Sequence, residues 1–332
     1  MKVFVIAAIC IQSSQPSSNT IQTSQAFTVL LPRSFIFKFI FLPTAMSIAS
    51  KRFPSMELFP IRFRHGRVVR GSTFERQVNQ DSHCRTENPR LIHVGQSDDG
   101  STRIDLLEFA GHIPEQLNFT LKRFAERRGA CRTRCQVAAI SRFNIAIKEQ
   151  SHQILEDNCL LMEYFNIFDQ IFFFGCLKGL VNVEFKLEMT NRDDFGICAH
   201  QHHDLASRQT IPDNFAASLS IRNLSRDPNY SPQRTRLEKY LGTLLHEMLH
   251  AYLGIYMCDC CPRCHQLSDR IMGTSGHGPT WHEAAFALEQ ATHPLIGRKL
   301  ELGRRNGMIS EYGPDYRNSI KVPEGMVAAL EL

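Results

Sequence analysis

The sequence predicts an α+β fold, and three observations along the chain predict it. Apolar residues recur at helical intervals over 154–168, three short segments between 181 and 221 alternate with period two, and a long amphipathic stretch covers 237–257. Helices flanking a small sheet bury all of these apolar faces at once.

At 332 residues, with 43% hydrophobic and 21% charged residues, the chain can bury a core of its own, as one domain with an appendage or as two small domains. Residues 1–45 form an apolar N-terminal segment. Lys2 is followed by an apolar run from Val3 to Ile11, which resembles a short secretory signal without a clear small-residue cleavage site. A second run, Ala26 to Met46, is interrupted by Pro32, Arg33, Lys38 and Pro43, so no stable membrane span is expected. Met46 and Met56 are alternative starts.

Residues 46–149 mix Arg, Ser, Gly and Asn with short apolar pieces, and only Gln116 to Arg128 reads as helical. The expectation is a basic, partly disordered extension. Residues 51–150 carry 18 Lys and Arg against 11 Asp and Glu, a surplus that suits an acidic partner such as DNA and equally a solvated basic segment.

The pattern tightens from about Gln150. Ile154, Leu160, Leu161, Tyr164, Phe165, Ile167 and Phe168 fall at helical spacing and lead into Phe172-Phe173-Phe174-Gly175. Val181, Val183, Phe185 and Leu187 then alternate as a half-buried strand does; Phe195 to Ala199 is a second strand candidate, and Phe215 to Ile221 a third. The domain is expected to span 150–305, with 306–332 as a short tail.

In the stretch from Leu237 to Met257, an apolar stripe including Leu241, Leu244, Leu245 and Met248 occupies one helix face, and His246 and His250 the opposite one. One turn separates the two histidines, so both imidazoles reach a single ion, while Glu247 stands beside it. Gly242 and Thr243 leave space one turn earlier. This H-E-x-x-H spacing suits neutral imidazoles that hold Zn2+ and a carboxylate that takes the proton of a water acidified by the ion. The bland alternative is two surface histidines on a helix.

A catalytic zinc needs a third protein ligand. A second His six residues beyond His250 is excluded, since Leu253 and Tyr256 stand where that pattern needs Gly and His. The favoured candidate is His277, in Gly276-His277-Gly278-Pro279 directly before a helical stretch from Thr280, where flanking glycines permit close approach and Pro279 suits a first turn. Glu283 is the next candidate, and His282 and His293 remain alternatives.

Eleven cysteines are an odd number without the even spread of a secreted disulfide framework, which favours a reducing compartment. Cys258, Cys260, Cys261 and Cys264 crowd together as ligands for a second, structural zinc, as reduced thiols in a surface insertion, or as local disulfides. Cys131 and Cys135 read as ordinary residues, His200, His202 and His203 as a polar loop, and Trp281 with Phe172 to Phe174 as core. Asn118 and Asn223 head glycosylation sequons.

Leu244-Leu245-His246-Glu247-Met248-Leu249-His250-Ala251 followed by Gly276-His277-Gly278-Pro279 resembles the SprT-like zinc metallopeptidase family, that of the Spartan-related DNA-protein crosslink proteases. Upstream, Phe165-Asn166, Phe173-Phe174-Gly175, Leu177, Val183 and Gly196-Ile197-Cys198 follow the family's order, so the resemblance covers about residues 150–305. It implies a zincin-like fold with a small sheet packed on the metal helix, His246, His250 and His277 as zinc ligands, and Glu247 as general base. It further implies an endopeptidase acting on proteins bound or crosslinked to DNA, in the nucleus or elsewhere inside the cell. The chain departs from Spartan after Arg305, where no Cys/His finger for ubiquitin and no clamp-binding motif stand; here the cysteines lie between the second and third ligands. A secreted peptidase unrelated to DNA, and a catalytically silent DNA-binding or adaptor module, are the competing expectations.

Overall fold

The computed structural model describes residues 62–63, 92–97, 102–105, 107–149, 157–187, 189, 194–200, 214–230, 233–258, 262–318 and 322. The apolar N-terminal segment and nearly all of the tail after 318 lie outside them. The architecture is α+β, as expected.

Two small sheets are present among the described residues. β1 (Arg62–Phe63) runs parallel to β3 (Thr102–Asp105), which pairs antiparallel with β2 (His93–Gln96). After α1 (Pro114–Ala125), α2 (Arg134–Glu149) and α3 (Asn158–Phe172) comes the sheet that matters for the site. β4 (Val181–Lys186), β5 (Gly196–His200) and β6 (Ala217–Arg222) lie in the order β4-β6-β5, with β4 parallel and β5 antiparallel to β6. β6 is therefore central and buried on both faces: Ser218 and Ser220 are as buried as Leu219 and Ile221, and the two hydroxyls meet Asn182 and Glu184 on β4.

α4 (Gln233–Tyr256) packs on β5 and β6 and also touches α3, α1 and α6 (Pro279–Ile296). Enclosed on so many sides, it is buried nearly all round; Leu249, Leu253 and Tyr256 are as inaccessible as the predicted apolar stripe. The face opposite that stripe looks into a cleft. Gly242 and Thr243 line part of that space, and Gly242 also admits the chain at 301, since a Cβ on it would lie 2.5 Å from the carbonyl oxygen of Glu301. α5 (Pro262–Met272) and α7 (Arg304–Tyr312) complete the described helices. None of the described helices is long and apolar enough to cross a membrane.

Two expectations about extent need correction. Residues 107–149 are not a loose extension: Leu117, Leu121, Phe124, Ala139 and Phe143 sit in the same core as α4, each large side chain contributing about 1.5–3 kcal/mol by its burial. The chain at 110–112 is also tied to the end of α4, since the N–H groups of Gly111 and His112 donate to the Tyr256 carbonyl at 3.1 Å and that of Cys258 to the His112 carbonyl at 2.7 Å. At the other end, α7 runs past residue 305 and its Arg304 pairs with Glu289 on α6 at 2.6 Å. A boundary at 305 cuts through this packed helix.

Asp169 organises the turn from α3 into β4. Its carboxylate accepts the N–H groups of Leu177 and Lys178, both at 3.0 Å, and its carbonyl those of Phe173 and Gly175. Phe174 and Gly175 are both left-handed, at φ 49° and 82°, which turns the chain sharply enough for those bonds to form.

Candidate metal centre

α4 supplies His246, Glu247 and His250 from adjacent positions on its cleft face, and His277 arrives from the loop just before α6. Gly278 caps that helix and Pro279 opens it, so His277 is held at a fixed loop-to-helix junction as expected. The three Nε2 atoms form a triangle with every side 3.1 Å. Among the described residues this is the one group of three or more His, Cys, Asp or Glu able to hold a metal ion.

Trp281, one turn into α6, is fully buried and backs the site, its ring centroid 4.6–5.5 Å from those of all three imidazoles. The sequence places it in the core, which is correct, and the structure adds that it is the wall behind the ligands. Burial, followed by the neighbouring histidines, pushes His246 down to about 3 and His277 to about 4, and His250 well below its usual range. All three are therefore neutral imidazoles at pH 7.

Their protons are placed by what the other ring nitrogens meet. Nδ1 of His246 lies 2.6 Å from the carbonyl oxygen of Leu302, which can only accept, so Nδ1 carries the proton and Nε2 presents a lone pair. Nδ1 of His277 lies 3.1 Å from Ser275 Oγ, whose own proton is directed to Glu311 at 2.6 Å, with the same result. Two lone pairs 3.1 Å apart repel each other unless a cation lies between them. With protonation suppressed by burial, a metal ion is the cation that fits this donor set.

Glu247 is buried beside the triangle, with Oε1 3.8 Å from His246 Nε2. Burial first, and Asp194 second, push its carboxyl up to about 8, whereas a cation among the imidazoles works in the opposite direction. Gly196 at the start of β5 makes this approach possible, because a Cβ there would lie 2.6 Å from Glu247 Oε1. Two clefts meet at the site. One of about 480 Å3 is lined by Cys198, His200, Leu253, Met257 and the loop 273–277. The other, of about 310 Å3, includes Lys239, Thr243, Leu302 and Asn306. β5 forms one rim of both and stands last in the strand order β4-β6-β5.

The remaining candidates separate clearly. Glu283 faces away and accepts from Asn118 at 2.9 Å, His293 is exposed on the last turn of α6, and His282 is buried outside the ligand triangle. Asn118 itself is 5% exposed, so its sequon is closed in the folded chain. Cys258 and Cys264 are buried thiols, and Cys260 and Cys261 lie outside the described residues. Cys131 is exposed and Cys135 buried, and neither is in a disulfide among the described residues. His200 is not part of a polar loop but ends β5 inside the cleft, its ring against Gly254 and Nε2 3.3 Å from Cys198 Sγ; His202 and His203 lie outside the described residues. Ser275, Leu302 and Glu311 were not legible as site residues. Only Ser275, two positions before His277, carried any local signal.

Fold and site together define an α+β protein with three histidines close enough to hold one metal ion. Comparison with protein-family models, curated proteins and solved structures returns no match to this chain.

Proposed function

We propose that the chain is a zinc-dependent endopeptidase of SprT-like, zincin-like type that acts on proteins bound or crosslinked to DNA. The observation that carries the reading is the triangle of neutral imidazoles with an ionisable carboxylate 3.8 Å from one of its corners. A purely structural site has no use for that carboxylate. When bound, zinc supplies Lewis acidity toward water and toward a peptide carbonyl. Glu247 takes the proton from the attacking water and later delivers it to the leaving amine. The substrate lies along the two clefts beside β5, with side chains falling on either side of the three imidazoles. Trp281 and the buried helix behind it keep bulk water from the rear of the ligands.

DNA enters the reading through charge. Residues 122–134 hold Lys122, Arg123, Arg127, Arg128, Arg132 and Arg134 against Glu126 alone, and Arg123, Arg128 and Arg134 are exposed. Such a cluster suits phosphate contacts that give affinity without sequence preference.

The test is cleavage of a DNA-bound protein by the zinc-loaded full chain, with and without DNA, beside Glu247→Gln. Cleavage that needs both DNA and Glu247 is the expected result. Glu247-dependent cleavage indifferent to DNA removes the DNA part and leaves the peptidase. Zinc binding with DNA binding but no cleavage of any substrate replaces the enzyme by an adaptor module.

A further inference from the structure

One polar chain reaches the metal centre from outside, and the proteolytic reading leaves it unused. It begins on α7 at Glu311, whose carboxylate accepts four hydrogen bonds, all from the loop that carries His277. The donors are the backbone N–H groups of Thr274 and Ser275, both at 2.8 Å, the Thr274 hydroxyl at 3.4 Å and the Ser275 hydroxyl at 2.6 Å. The loop is built around this carboxylate: Gly273 is left-handed at φ 76°, and a Cβ there would lie 2.3 Å from the carboxyl carbon.

The short bond from Ser275 decides a proton position. An ionised carboxylate only accepts, so the hydroxyl proton points at Glu311 and the oxygen lone pairs of Ser275 face His277 Nδ1 at 3.1 Å. Nδ1 must then be the donor, and Nε2 is turned toward the other two imidazoles with its lone pair free. Two backbone bonds alone would hold the loop in place. The hydroxyl bond does something they do not, which is to exclude the tautomer that cannot bind a metal.

We propose that Glu311, acting through the Ser275 hydroxyl, is a positioning residue that locks His277 as the Nδ1-protonated tautomer and so sets the affinity of the three-histidine site for its divalent cation. The proposal rests on the metal-centre reading above. A carboxylate reaching a metal-binding histidine through one intervening group is an outer contact of the kind whose loss weakens metal binding without unfolding the site.

The experiment uses the full chain as wild type, Ser275→Ala, Ser275→Thr and Glu311→Gln. The tautomer of His277 is read in the zinc-free protein by long-range 1H–15N correlation, and zinc affinity by competition with a chromophoric chelator. Wild type is expected to show the Nδ1–H form alone and to bind one zinc. Ser275→Ala keeps both backbone bonds to Glu311 and is expected to show mixed tautomers and zinc affinity weaker by about 10–100-fold. Ser275→Thr restores both readouts, and Glu311→Gln shifts both in the same direction as Ser275→Ala. A Ser275→Ala protein with the wild-type tautomer and wild-type zinc affinity overturns the relay while the metal centre stands. A wild-type chain that takes up no zinc overturns the metal centre itself, and the tautomer measurement still judges the relay.

Discussion

Two places in one core hold buried carboxyl groups, and they are built in opposite ways. At the α3–β4 turn, Asp169 is 1% exposed and both of its carboxylate oxygens are met by backbone N–H groups. At the metal centre, Glu247 is 5% exposed, accepts no hydrogen bond from the described residues, and stands beside imidazoles whose lone pairs face one another. A buried carboxyl matched by backbone donors serves the fold, whereas Glu247, unmatched among the described residues and lining both clefts, is placed to meet what enters them. The difference also predicts which substitution damages which property.

The largest effect is expected at Glu247. Glu247→Gln keeps the side-chain volume and, on the proposed function, removes the base, so the proteolytic turnover proposed above is expected to fall by about 10²–10⁴-fold. Because the wild-type carboxyl has no hydrogen-bond partner among the described residues, the urea midpoint of the zinc-free protein is expected to stay the same or rise. A variant that loses stability along with activity would place Glu247 in the same class as Asp169 and break the comparison.

Asp169→Ala is the mirror image. It strands two N–H groups, so stability drops by about 2–4 kcal/mol in chemical unfolding, while turnover per folded molecule is unchanged. Normal stability of this variant would mean that the turn is held by its left-handed residues alone.

A pH series sharpens the same contrast. Burial raises the Asp169 carboxyl from 3.8 to about 7, against the pull of the two backbone N–H groups and Lys178. The folded state therefore holds this proton more tightly than the unfolded state does. The stability it contributes is full below the unfolded value and is lost as pH rises through the folded one, at a slope approaching about 1.4 kcal/mol per unit between pH 5 and 6. Asp169→Asn loses one bond at every pH but has no charge to acquire. The difference in unfolding free energy between wild type and Asp169→Asn should thus shrink, or change sign, from pH 5 to pH 8. A constant difference across that range means the carboxylate is ionised throughout and fully compensated by its donors.

The contrast also explains what was legible in the sequence. Period-two and helical patterns report which face of a segment is apolar, so most of α1 and α3, β4, β5, β6, α4 and α6 were readable, and with them the three histidines that come together. The patterns do not report which core a face joins. The Arg-rich composition around α1 and α2 therefore concealed Leu117, Leu121 and Phe124, whose spacing is as regular as that of α3. Contacts such as Glu311 to Ser275, 36 residues apart, leave no local pattern at all. For the same reason the unmatched state of Glu247 was invisible, since it depends on what every neighbouring element fails to offer.

His282 is the case that tests the rule at its smallest scale. It is 3% exposed, neither ring nitrogen has a hydrogen-bond partner among the described residues, and burial, then Arg304, lowers it to about 4, so it is neutral. By the contrast between Asp169 and Glu247, it belongs with the unmatched groups, and it adjoins Trp281 at a centroid distance of 5.1 Å, directly behind the ligands. His282→Leu replaces two unsatisfied nitrogens with methyl groups of similar bulk, so stability should hold or rise by up to about 1 kcal/mol. Zinc affinity should fall several-fold, because His282 packs edge-on against Trp281, whose ring in turn abuts all three imidazoles. If the substitution instead costs stability and leaves zinc affinity untouched, then an unmatched buried imidazole can serve the fold through packing alone, and the absence of a partner ceases to mark function in this core.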